Sequence, residues 1–349
     1  MAIFTEASQN QPSEEVNNNY WNKVKANFGL PSKYDIDYYN NYYRFGVIDP
    51  YNEPDSGREF LFFTKPDLYI CQDINGTRLT AELENNTFFT ELLARWPNVI
   101  RQLQSWTNPK GNNPFMYLLS NMVTSNLDLP SLSATTVQNP NNMFGISYDY
   151  RWTSEASDDN HSFSLEFKDT KNLDVYMLFR AYEEYEKLKA QGVIKLNSSA
   201  NSNSQTHYKK YITDHILHDQ IGIYKFIVGE DMETIIHYSY FCGCMFTSLP
   251  RESFNDADFH EGIKYGIDMK CAFVEDMDPL ILSDFNYLMK NIIDKYKNRP
   301  ECVASIYDMD NDHTDLLPVT SPFITRTNDI NGKKKYKLKW YRDPSLNLN

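Results

Sequence analysis

The sequence predicts an α+β fold dominated by antiparallel strands, and three observations carry that prediction. Apolar and polar residues alternate over long runs, at 144–152 and again at 263–273, the period of a strand with one buried face. Tyrosine (25) and phenylalanine (21) are abundant, and both favour strands. Helical spacing is confined to a few segments, chiefly 87–106, 172–191 and 278–297.

The chain has 349 residues, 41% of them hydrophobic, enough to bury a sizeable core in one elaborated domain or two. Residues 1–19 are polar and rich in Asn, Gln, Ser and Glu, and read as a flexible arm with no apolar stretch for a signal peptide. Residues 20–140 read as an N-terminal extension. It opens with a short helix at 20–28, strands at 43–48 and 59–63 that suit an early hairpin, and turn signals over 71–86. Phe88, Leu92, Leu93, Trp96, Ile100 and Leu103 then follow helical spacing, with Pro97 placed to split the helix, and a second helix at 114–123 completes a helical insertion over 87–123.

Residues 141–349 read as the β core. Phe144, Ile146, Tyr148, Tyr150 and Trp152 alternate with polar residues, Phe163, Leu165 and Phe167 repeat the pattern, and the polar stretch between them suits the tip of a long hairpin. A helix follows over 172–191, with Thr170 as N-cap, a Glu183/Lys187 pair and Gly192 as stop. The Asn/Ser-rich stretch 193–206 cannot bury a core, and a helix at 208–218 follows it. Strands at 221–228 and 234–241 are joined through Gly229, Glu230 and Asp231. After the alternating strand 263–273, Asp278 or Pro279 opens a helix to about Lys297. A strand at 302–307 and a hairpin turning at Asn331 and Gly332 close the chain.

The chemistry the sequence offers is thin. A net charge of −13 argues against a surface that grips phosphate, while leaving one past which nucleic acid can slide. Five scattered cysteines (Cys71, Cys242, Cys244, Cys271, Cys302) do not form a disulfide framework and suit a reducing compartment. His215 and His218 beside Asp214 and Asp219 lack the spacing of a metalloprotease and read as a polar helix end. Cys242 and Cys244 are too close for a zinc knuckle and read as small residues buried at a turn. Asp308, Asp310 and Asp312 begin like a calcium loop, but His313 stands where Gly belongs and Val319 where Glu belongs, leaving a solvated acidic loop. The clusters Asp158/Asp159, Asp256/Asp258 and Asp276/Asp278 read as exposed turns with no companion nucleophile. No catalytic residue, cofactor or metal ligand is expected, and no segment suits a membrane span.

Over 140–275 the order and character of these elements resemble the tail-tube family of contractile and long-tailed bacteriophages. The 144–152 and 163–167 pair is similar to that family's long hairpin, the helix from Asn172 to its packing helix, and the strands at 221–228, 233–238 and 263–274 to the remainder of its sheet. The resemblance implies a small antiparallel β-sandwich or barrel with a flanking helix, in which Phe144, Ile146, Tyr148, Tyr150, Trp152, Phe163, Leu165 and Phe167 belong to an inter-subunit sheet. It implies stacked rings, hexameric in the family, around a lumen for DNA. It further implies self-association, contact with other tail or virion proteins, and a place in the virion tail after assembly in a host cytoplasm. Two other readings stand beside it: another virion component (neck, terminator, baseplate or capsid protein), and a β-sandwich enzyme or carbohydrate-binding protein whose aromatic residues line a groove.

Overall fold

A computed structural model describes residues 57–66, 68, 70, 71, 78–103, 114–130, 135–138, 149–153, 161–194, 219–249, 263–290, 293, 303, 304, 320–328 and 334–342, all within the unit Gly57–Asn349. The strands are antiparallel and dominate, with a few helices packed on them, so the α+β expectation holds. In chain order the elements are β1 (Arg58–Phe63), α1 (Thr87–Arg95), α2 (Pro97–Leu103), α3 (Tyr117–Met122), β2 (Thr135–Gln138), β3 (Asp149–Thr153), β4 (Ser162–Lys168) and α4 (Asp174–Ala190). Then come β5 (Ile221–Val228), β6 (Ile235–Phe246), β7 (Lys264–Lys270), β8 (Phe273–Asp276), α5 (Pro279–Leu288), β9 (Val303–Ala304), β10 (Thr320–Asn328) and β11 (Lys334–Arg342).

The main sheet has six strands in the order β1-β5-β6-β7-β4, with β8 also on β6. β10, β11 and β9 form a second sheet, and β2 with β3 a third. β5 reads Ile-Gly-Ile-Tyr-Lys-Phe-Ile-Val without alternation and is buried along nearly its whole length, because both faces of the sheet are covered there. On one face Ile221 and Ile223 join a core with Leu61, Phe63, Phe89, Leu92, Ile100, Leu165, Phe167, Phe179 and Tyr265. The helices of 87–123 thus share the sheet's core. On the other face Tyr224 and Phe226 pack with Phe62, Phe115, Phe285, Ile324 and Leu338. Phe115 stacks on Phe285 at 5.0 Å between centroids, and Phe226 meets the same ring edge-on at 5.0 Å. Each fully buried phenylalanine contributes about 2 kcal/mol by removal from water.

β7 buries Tyr265, Ile267 and Met269 in strict alternation with exposed residues, as its sequence predicts. The expected hairpin between 144–152 and 163–167 is corrected. β3 pairs backward with β2, while β4 pairs with β7 in the register Phe163↔Met269, Leu165↔Ile267 and Phe167↔Tyr265. The reason is complementarity of alternation: β4 and β7 each carry apolar residues at every second position, and this register brings those positions opposite one another on one core face. The helix over 87–106 splits at Trp96 before Pro97, as expected. In α4 the cap is shared. Thr170 Oγ1 accepts from Asp174 N–H at 3.1 Å, but the Asp169 carboxylate accepts from Val175 and Tyr176 N–H at 3.0 and 3.1 Å. The expected Glu183/Lys187 pair is replaced by Arg180 with Glu183 and Lys187 with Glu184. Gly192 sits at φ +71, the left-handed stop expected of it.

The β5–β6 turn closes through a hydrogen bond from Gly229 N–H to the Thr234 carbonyl at 2.9 Å, and Asp278 caps α5 through Leu280 N–H at 2.8 Å ahead of Pro279. β10 and β11 form the expected last hairpin. The expected strand at 43–48, the helices at 20–28 and 208–218, and the acidic loop at 308–312 lie outside the described residues.

Candidate functional site

The residues expected in an inter-subunit sheet fall in three places. Phe144, Ile146 and Tyr148 lie outside the described residues. Tyr150 and Trp152 are on β3. Phe163, Leu165 and Phe167 are on β4, the outermost strand of the main sheet's order, where Leu165 and Phe167 are fully buried and Phe163 meets Phe241 edge-on at 5.5 Å. β4 therefore offers a neighbour its backbone edge, not these side chains. That edge is partly taken: Thr124 N–H donates to the Glu166 carbonyl and Glu166 N–H to Ser125 Oγ, both at 2.8 Å.

The other outermost strand is more open. Register and the Thr64-to-Gly222 hydrogen bond place the ladder bonds of β1 with β5 on Arg58, Phe60 and Phe62. Glu59, Leu61 and Phe63 therefore turn their N–H and C=O groups away from β5. Phe63 is satisfied by Met116 N–H at 2.7 Å and Ser120 Oγ at 3.4 Å. Among the described residues nothing meets the backbone groups of Leu61, and a cleft of about 600 Å³ lies in front of them, between β1 and the segment 120–126, with Trp340 at its border. Glu59 holds the cleft's floor in place. Its carboxylate pairs with Lys225 at 3.0 Å and accepts from Leu127 N–H at 2.8 Å, while Lys225 also donates to the Leu127 carbonyl. The edge was not legible in the sequence, because whether a strand is an edge depends on which distant strand takes its other side.

A second cleft of about 550 Å³ is lined by Tyr224, Tyr240, Cys242 and Asp284, with Lys65 near. The Tyr224 hydroxyl donates to Asp284 Oδ2 at 2.5 Å, and the rings of Tyr224 and Tyr240 lie 4.4 Å apart. Burial pushes both phenols above their ordinary range and raises the Cys242 thiol, so these groups stay protonated at neutral pH. Burial also lowers Lys65 to about 8, and its Nζ donates to the Arg101 carbonyl at 3.0 Å.

Of the sequence's other candidates, Cys242 and Cys244 are strand residues on β6, separated by Gly243 at φ +64, and not residues of a turn. Asp219 pairs with Lys189 at 2.6 Å, Asp276 with His237 at 2.7 Å, and Asp278 is the α5 cap. Among the described residues no group of three or more His, Cys, Asp or Glu side chains is arranged to hold a metal ion, and no helix is long and apolar enough to cross a membrane. No protein-family model matches the chain, and no curated protein matches its sequence. The edge of β1 and the cleft before it are therefore what a functional reading has to build on.

Proposed function

We propose that this chain is a self-assembling structural subunit, a bacteriophage tail-tube protein whose copies join by strand addition into stacked rings around a lumen for DNA. The observation that carries the reading is the outer edge of β1 at Leu61, which faces a cleft and is met by none of the described residues. A strand from a second copy laid there would gain main-chain hydrogen bonds, and ring closure would leave no edge exposed to uncontrolled association. The long hairpin that the resemblance implied is not formed by β3 and β4, so in this reading the β1 edge is the joining device. The arrangement of 115–125 supports a barrel-like sheet: Phe115 bridges to Thr64 beside β1, and Val123 bridges to Phe167 on β4, so one segment touches both outer strands. A net charge of −13 suits a lumen wall that repels phosphate, so that a genome passes without sticking. In this reading the working place is the virion tail, beside other tail proteins, after assembly in the host cytoplasm.

The test is electron microscopy with light scattering on the purified full chain over rising concentration. Rings or tubes are expected. Monodisperse monomers at high concentration overturn the reading. A protein that stops at single rings, or that quantitative mass spectrometry finds at one ring's copy number per particle, belongs instead to a neck, terminator or baseplate position.

A further inference from the structure

β6 and β7 pair as Met245↔Lys270 and Phe246↔Met269, and Thr247 N–H donates to the Asp268 carbonyl at 2.9 Å. That bond makes Thr247/Asp268, and two residues on Met245/Lys270, the hydrogen-bonded pairs of the ladder. The paired residues end there, and Cys244 and Cys271 are the next residue on each side, the position that a regular ladder gives to a non-hydrogen-bonded pair, the closer of the two antiparallel spacings at about 4.5 Å between Cα atoms. A disulfide spans Cα separations of about 4.4–6.8 Å. Both side chains are buried, Cys244 at 0% and Cys271 at 2% exposure, and each thiol donates to a carbonyl of the strand framework, Cys244 to Phe241 at 3.5 Å and Cys271 to His161 at 3.6 Å. Their positions are fixed on both sides. Cys271 N–H donates to the His161 carbonyl at 2.9 Å, Cys244 lies opposite Ile221 of β5, and a Cβ at Gly243 would meet Ala272 Cβ at 3.0 Å.

We propose that Cys244 and Cys271 form a latent cross-strand disulfide, an oxidative staple between β6 and β7 that closes on exposure to a low-molecular-weight disulfide. The neighbouring Cys244 thiol holds Cys271 below the ordinary thiol range while burial raises Cys244, so Cys271 is the thiol that ionises and attacks first. The Cys271 thiolate attacks one sulfur of oxidised glutathione, its S–S bond breaks, and the first glutathione thiolate leaves. The Cys244 thiolate then attacks the Cys271 sulfur of the mixed disulfide, the protein S–S bond forms, and the second glutathione thiolate leaves. Two protons pass from the protein thiols to the two glutathione thiolates, so the protein loses two electrons and glutathione gains them. The staple sits where the strand 264–276 breaks at Cys271 and Ala272 between its β7 and β8 portions. A chain folded in a reducing compartment would thereby be locked after transfer to an oxidising medium, however its copies associate.

The experiment equilibrates the full chain with excess oxidised over reduced glutathione in two arms, one starting from folded protein and one refolding from urea, so that access to buried thiols does not limit the second. Both are quenched in acid, alkylated and mapped by peptide mass spectrometry. The expected result is a Cys244–Cys271 linked peptide, reversed by dithiothreitol, with a rise in Tm of about 5 °C. The link should persist in Cys242→Ser and vanish in Cys271→Ser. Two alkylatable thiols at 244 and 271 in both arms, or a link made instead to Cys242, overturns the proposal. The mapping on the unaltered chain decides the matter even where a variant fails to fold.

Discussion

Glu59 and Lys225 are the most consequential ion pair of the described residues, since both side chains are largely buried, at 15% and 7% exposure. Removing one partner of such a pair strands the other charge away from water. Glu59→Ala is expected to lower stability by about 3 kcal/mol, and adding Lys225→Met to recover most of that loss; denaturant unfolding of the two single variants and the double variant measures both. On α4 the balance differs. Lys189 lies 2.7 Å from Glu186 and 2.6 Å from Asp219, one cation between two carboxylates, and burial pushes Glu186 up from about 4.5 to about 7. The folded chain then keeps a proton that the unfolded chain releases, so this contribution is complete below pH 4.5 and is lost as pH rises toward about 7. Glu186→Gln, which cannot titrate, should flatten the fall of Tm across that window, and a Tm series in matched buffers reads it. The Glu59/Lys225 and Lys189/Asp219 pairs were not visible in the sequence, because each joins residues distant along the chain; Glu186 and Lys189 stand three apart on α4.

Elements were more legible than their pairings. β7 announced itself by alternation, β5 by an apolar run interrupted at Gly222 and Lys225, and the break between α1 and α2 by Pro97. What alternation cannot say is which strand lies beside which. The segment at 162–168 takes the strand at 264–270 because the two patterns match across an intervening stretch of helix and sheet, and the short, polar Thr135–Gln138 gave no sign that β3 would turn back to it. The same blindness hid the open edge of β1. At this scale the assembly reading makes a sharp forecast. Asn121 is exposed on α3 and lines the β1 cleft, so Asn121→Trp should fill the space a joining strand needs, abolishing rings and tubes in electron micrographs while leaving the monomer's Tm within about 1 °C.

For the whole molecule, the central fact is that both faces of one sheet are covered, with α4 and the 87–123 helices on one side and α5 with β10 and β11 on the other. Within the sheet β1 pairs with β5, and the Thr64-to-Gly222 hydrogen bond that begins their ladder joins residues 158 apart in the chain. On a ribosome that distance becomes time. At about 5–20 residues per second the Phe-rich β1 waits about 10–30 s before its first partner strand emerges, with an apolar run and the edge that β5 takes left bare. A nascent chain halted before β5 is thus at its most adhesive, and a fragment ending at Ile194 should show no cooperative unfolding by circular dichroism and should sediment as aggregates, whereas the full chain refolds. An edge suited to receiving a second copy in the finished molecule is, during synthesis, the place where premature association has to be held off.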